Sequence, residues 1–147
     1  MVLEILRKGG NETELLLSKF RAKVQKLCKN SKVDDCHNSL YTRILDRLII
    51  SYDNEMTSGF IDEWQNWAKQ NSNLRGIAFS KYYTGHLNRN LDDQQSFISD
   101  LLTAQKMFVE INPEQRIIYE IDNNLASYYR DIGAVSYTHL RAHETLR

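Results

Sequence analysis

The stretch MFVEINPEQRIIYEIDNNLASYYRDIG, residues 107–133, decides how this chain is read. Its apolar residues do not alternate. Ile117, Ile121, Leu125, Tyr128, Tyr129 and Ile132 recur every three or four positions, the spacing that puts side chains on one face of a helix. Asn112-Pro113 interrupts the pattern. Proline lacks an amide hydrogen and clashes with the turn before it, so it closes one helix and is tolerated in the first turn of the next. Gly133 suits the left-handed backbone that often follows a helix. The stretch therefore predicts a helix end, a tight turn, and a helix over roughly residues 114–132.

The same period recurs through the rest of the chain. NETELLLSKFRAKVQKLC opens at Asn11, a capping residue type, and carries Leu16, Phe20, Val24 and Leu27 at helical spacing. DDCHNSLYTRILDRLIISY follows a polar loop, with Asp34 or Asp35 as cap and Tyr41, Ile44, Leu45, Leu48 and Tyr52 on one face. TSGFIDEWQNWAKQ predicts a Thr/Ser cap and a face of Phe60, Trp64, Trp67 and Ala68. LRGIAFSKYYTGHL offers Ile77, Ala78, Tyr82, Tyr83 and Leu87. After the turn NRNLDD, Asp92 and Gln95 read as a capping box for a helix with Phe97, Leu101, Leu102, Phe108 and Val109. The opening VLEILRKGG reads as a helix end, with two cations in its last turn and Gly9 as cap, so Met1 is read as an internal start. No segment alternates with period two for long enough to predict a strand. The expectation is an all-α chain of about six helices.

Composition narrows the function classes. The 147 residues carry 19 basic and 19 acidic side chains, one proline and six glycines. A balanced charge argues against a general nucleic-acid or anionic-membrane surface, which needs surplus Lys and Arg. Apolar runs such as Leu48-Ile49-Ile50 are far too short to span a bilayer, and no signal-peptide cleavage pattern follows the first residues. The expected location is cytoplasmic. Cys28 and Cys36, in LCKNSKVDDCH with His37, are read as free thiols. A disulfide and an incomplete metal site are the alternatives, since a zinc site wants four ligands at shorter pairings.

Two resemblances shape the domain reading. MFVEINP followed by NNLASYYRDIG resembles the tetratricopeptide-repeat family, with Leu125, Ala126, Tyr129 and Gly133 matching the first helix of a unit and Pro113 the boundary before it. Leu48 with Tyr52 and Tyr83 with Leu87 are the counterparts, about 35 and 42 residues apart along the chain, so the repeat is degenerate. The resemblance implies antiparallel helix hairpins stacked as a right-handed superhelix over residues 1–134. It also implies a segment of a larger bacterial signalling or transcription-regulatory protein. Residues 135–145, VSYTHLRAHET, resemble a transposase-type sequencing adapter translated in another frame. That makes 135–147 a non-native tail and removes His139 and His143, four residues apart, as a metal pair. It also leaves the second helix of the last unit missing and Tyr128, Tyr129 and Ile132 without cover.

Stacked hairpins present the first helix of each pair along a concave surface that holds a peptide or partner helix. The expected function is therefore protein–protein interaction or regulatory sensing, without catalysis, cofactor, metal or nucleic acid, and with homo-oligomerisation open. The candidate groove residues are Lys81, His86, Asn88, Asn124, Ser127 and Arg130, whose bland alternative is a solvated helix face. The aromatic pairs Trp64/Trp67, Tyr82/Tyr83 and Tyr128/Tyr129 read as core rather than as recognition surface. A helical-bundle enzyme would draw on Asp46, Glu63, Asp100 and Glu120, but no Glu-x-x-His pair or Gly-rich phosphate loop accompanies them. DNA binding would rest on KFRAKVQK, residues 19–26, which also carries the apolar stripe of a packed helix.

Overall fold

The computed structural model describes residues 13–29 and 35–132, and these form six α-helices with no strand among them. The helices are α1 (Thr13–Cys28), α2 (Cys36–Ser51), α3 (Asn54–Gln70), α4 (Leu74–Asn90), α5 (Gln94–Ile111) and α6 (Arg116–Asp131). The all-helical expectation holds. The readings of VLEILRKGG, the Asn11 cap and the tail at 135–147 lie outside the described residues.

Three of the turns share one construction. Tyr52, Ser72 and Asp92 adopt left-handed backbone, with φ of 59°, 50° and 62°. Each is followed by an Asx residue that caps the next helix: Asp53 accepts from the Met56 amide, Asn73 from Gly76 and Asp93 from Ser96. A side-chain oxygen at this place satisfies one of the amides that a helix start leaves without a partner. The joints fall 20 residues apart, so α3 and α4 are each framed by equivalent turns. Residues 112–115 depart from this plan. Asn112 is extended, and Gln115 precedes α6 without a capping bond of its own.

These joints correct several boundaries. α3 begins at Asn54 behind Asp53, not behind Thr57 or Ser58, because the aspartate cap lies one turn earlier and Thr57 Oγ1 instead bonds back to the Asp53 carbonyl. The cap of α5 is Asp93 rather than Asp92. Tyr52 leaves the apolar stripe and lies exposed in the joint.

The core runs through all six helices. Leu16, Phe20, Val24 and Cys28 form the inner stripe of α1, a strict four-residue ladder that buries the cysteine and turns Leu27 out to solvent. Tyr41, Ile44, Leu45 and Leu48 of α2 share one buried cluster with Phe60 and Trp64 of α3, and Ala68 of α3 is buried as well. Phe97, Leu101, Ala104 and Phe108 of α5 are wholly buried, whereas Leu102 and Val109 stay on the surface. Closest approach occurs where α4 meets α5. A Cβ on Gly85 would collide with the Leu101 side chain and sit 3.2 Å from Asp100 Cβ. Of the aromatic pairs, Trp64, Tyr82, Tyr83 and Tyr128 are buried, and Trp67 and Tyr129 pack against the core from its edge. Tyr128 has cover, against Phe97 and Tyr129, while Ile132 is exposed.

Alternate helices also touch. Tyr83 Oη of α4 donates to Asp46 of α2 at 2.5 Å, Asn90 of α4 donates to the Ile49 carbonyl at 2.9 Å, and Asn124 of α6 donates to Tyr82 Oη at 3.1 Å. The links to Ile49 and Tyr82 join residues 41 and 42 apart. That is longer than the roughly 34-residue tetratricopeptide period.

The cysteines are not free. Cys28, the last residue of α1, and Cys36, the first of α2, form a disulfide with a Cα–Cα distance of 5.7 Å. They stand eight residues apart across a polar connection, and the end of one helix faces the start of the next. Spacing alone could not show that geometry.

Candidate functional site

The six groove candidates fall into three groups rather than one surface. Lys81 and Asn88 lie on the side of α4 that faces α5, and both reach Asp100: Lys81 Nζ at 3.2 Å and Asn88 Nδ2 at 2.8 Å. Asp100 is buried, and a buried carboxylate requires such partners. His86 and Asn124 meet between α4 and α6, with Asn124 Nδ2 3.4 Å from His86 Nε2. Ser127 and Arg130 pair with each other on α6, Arg130 Nη2 donating to Ser127 Oγ at 3.3 Å.

The His86 seam has its own electrostatics. Burial, with the Arg89 guanidinium as the smaller cause, lowers the His86 pKa to about 4. Arg89 lies over the rings of Phe97 and Tyr128, 5.2 and 5.6 Å from their centroids. Burial chiefly pushes Tyr82 up to about 12, against the hydrogen bond from Asn124. Tyr83 is raised by burial and by the Asp46 carboxylate. Asp46 and Glu120, both on the surface, flank this strip, and their negative charge raises Tyr82 further. The strip Asp46–Tyr83–Tyr82–Asn124 thus ties α2, α4 and α6 together along one polar line.

A second site lies between α1, α2 and α3. It is a cleft of about 280 Å³ whose lining includes Arg21, Gln25, Tyr41, Glu63, Asn66 and Gln70. One wall is the His37 ring stacked on Trp67, with centroids 4.1 Å apart and planes within 9°. Arg21 and Glu63 face each other as a two-pronged ion pair, Nε to Oε2 at 2.9 Å and Nη2 to Oε1. That pairing engages the middle of the basic run 19–26, whose Phe20 and Val24 are core. The disulfide stands behind the cleft, since Cys36 precedes His37 and Cys28 follows Val24 by one turn.

Sequence reasoning missed this cleft because its members come from three helices, and Arg21 and Glu63 are 42 residues apart. The one local signal was the LCKNSKVDDCH connection, which placed His37 beside the cysteine pair.

Behind the cleft, Asn38 Oδ1 accepts from Trp64 Nε1 at 2.9 Å and Asn38 Nδ2 donates to Asn73 Oδ1 at 3.2 Å. This buried set fixes α2 against the α3–α4 joint. Among the described residues, no group of three His, Cys, Asp or Glu side chains is arranged to hold a metal ion, and no helix is long and apolar enough to cross a membrane. Comparison with protein-family models, with curated proteins and with solved structures finds no match to this chain.

Proposed function

We propose that this chain is a protein-interaction or regulatory sensing segment that binds a peptide or partner helix along the strip shared by α2, α4 and α6. The observation that carries the reading is the contact of alternate helices. Tyr83 reaches Asp46, and Asn124 reaches Tyr82, so one polar line crosses three helices that are not consecutive in sequence. Tyr82 and Tyr83 are themselves buried, so what this alignment offers a ligand is the exposed residues beside them, Asp46 and Glu120 among them, on helices set side by side as helical-repeat proteins set theirs. The resemblance of residues 107–133 to tetratricopeptide units supports the same function, and the 20-residue joints supply a regular framework for it. Asp46 and Glu120 give the strip acidic flanks, which favours ligands carrying Lys or Arg.

The test is selection of peptides from a displayed random library against the full chain, followed by amide NMR titration of the winners. Enrichment of basic peptides whose titration moves α2, α4 and α6 resonances together is the expected result. Shifts confined to the α1–α3 end, or failure of any peptide to enrich over a blank surface, would overturn the proposal.

A further inference from the structure

The Arg21/Tyr41/Trp67 cleft has features that packing alone does not explain. Tyr41 is only 2% exposed, and its ring is held between Phe20, edge-on at 5.2 Å, and Trp64, stacked at 5.4 Å. Its hydroxyl lines the cleft and makes no hydrogen bond among the described residues. Of the other buried tyrosines, Tyr82 and Tyr83 each have a hydroxyl partner, and Tyr128 has none among the described residues but lies away from this cleft. The Tyr41 hydroxyl is not among the buried polar atoms left without a partner, so the tip of this otherwise buried side chain reaches the open cleft. Here the group is fixed by its ring and turned toward an open space.

What the space would accept follows from its other groups. Arg21 and Glu63 cancel each other's charge, and burial lowers the His37 pKa, which keeps that ring neutral near pH 7. The cleft therefore favours an uncharged ligand. Its rim is the primary amides of Gln25, Asn66 and Gln70, each both donor and acceptor. A ligand with one amide or one hydroxyl would leave most of these groups unmet. A compact molecule with a hydroxyl on nearly every carbon donates and accepts at each position and fits a space of this size.

We infer that the cleft between α1, α2 and α3 is a binding site for a small neutral polyhydroxylated molecule of monosaccharide size, with the Tyr41 hydroxyl as its deepest contact and the Arg21–Glu63 pair and the amide rim around it. The site is separate from the α2/α4/α6 strip, so either proposal can fail without the other.

The two tryptophans supply the assay. Trp67 forms the cleft wall, and the Trp64 indole is committed to Asn38 inside the core. The full ¹⁵N-labelled chain is titrated to roughly 100 mM with D-glucose, N-acetyl-D-glucosamine, D-ribose and myo-inositol, and separately with acetate and methylguanidinium. At least one polyol moves the Trp67 indole signal to saturation in the millimolar range while Trp64 stays in place. Tyr41→Phe unfolds at the same temperature as the parent chain or higher and binds that polyol about 3–10-fold more weakly, the loss expected for one neutral hydrogen bond. Asn66→Ala, on the exposed rim, weakens it similarly and guards against a folding defect in the first variant. No saturable shift with any polyol, saturation by a charged probe instead, equal movement of both indoles, or unchanged affinity in both variants would each overturn the inference.

Discussion

His86 makes the stability of this chain depend on pH, with a sign and a size that follow from its burial. Its ring packs against Tyr82 with centroids 4.6 Å apart, and burial with the nearby Arg89 lowers its pKa from 6.5 to about 4. In the unfolded chain the imidazole takes its proton near 6.5. Between these two values the unfolded state binds more protons than the folded one, so stability falls as the pH drops through that window, and the loss is complete below about pH 4. A tenfold change in proton affinity is worth about 1.4 kcal/mol, which sets a limit of about 3 kcal/mol and a loss of about 2 kcal/mol on going from pH 7 to pH 5. For a domain of this size that corresponds to a fall in Tm of about 6–10 °C. The assay is urea unfolding at closely spaced pH values for the parent chain and for His86→Gln, which offers Asn124 an acceptor but binds no proton. His37, also lowered by burial, and all the carboxylates are present in both chains and cancel in the difference. The parent should lose about 2 kcal/mol more than the variant by pH 5. Parallel stability curves would refute the reasoning and place the charged ring in contact with water.

Other perturbations test the packing. Replacing Cys28 and Cys36 together by serine should cost about 2–3 kcal/mol in urea unfolding, the value expected for a short closed loop, with helix content by circular dichroism retained. Gly85→Ala should destabilise by about 1–3 kcal/mol despite alanine's better helix propensity, because the methyl meets Leu101 and Asp100; a stabilised variant would show that the two helices can part. Asn38→Ala should cost about 1–3 kcal/mol, since it strands the Trp64 indole N–H, and tryptophan fluorescence should report the change. Tyr52→Gly should raise the melting temperature, by up to about 1 kcal/mol of stability, since glycine adopts the left-handed joint without strain and the tyrosine ring is exposed.

The helices were legible because their buried faces recur at the helical period. Phe60, Trp64 and Ala68, or Ile117, Ile121 and Leu125, need no tertiary information to be assigned to one side. Their joints were less legible. A sequence reader looks for glycine where a helix ends in left-handed backbone, and this chain places tyrosine, serine and aspartate there. The capping Asx residues were visible, but beside them stood equally good candidates such as Thr57 and Asp92. Outer edges of the stripes failed for a related reason: Leu27, Leu102 and Val109 are apolar and correctly spaced, yet they lie on the exposed sides of α1 and α5. The groove candidates were chosen as polar positions on single helices. Such a choice cannot tell a residue that faces solvent from one, like Lys81, that is spent on a buried carboxylate in the next helix.

The 20-residue spacing of the joints bears on how helix order is encoded. Positions 40 residues apart in α3 and α5 occupy equivalent places after equivalent caps, and five such pairs are buried in both helices. Where α3 has Thr57, α5 has Phe97, and where α3 has Phe60, α5 has Asp100. Trp64 corresponds to Ala104, and Ala68 to Phe108. Only Ile61 and Leu101 are alike in size. The joints that precede the two helices treat them as the same part, and the interior treats them as opposites. Exchanging them would keep the joint before each helix intact and still set large rings where small or polar side chains are needed, so those joints leave the order of the two helices open and what fills the interior specifies it.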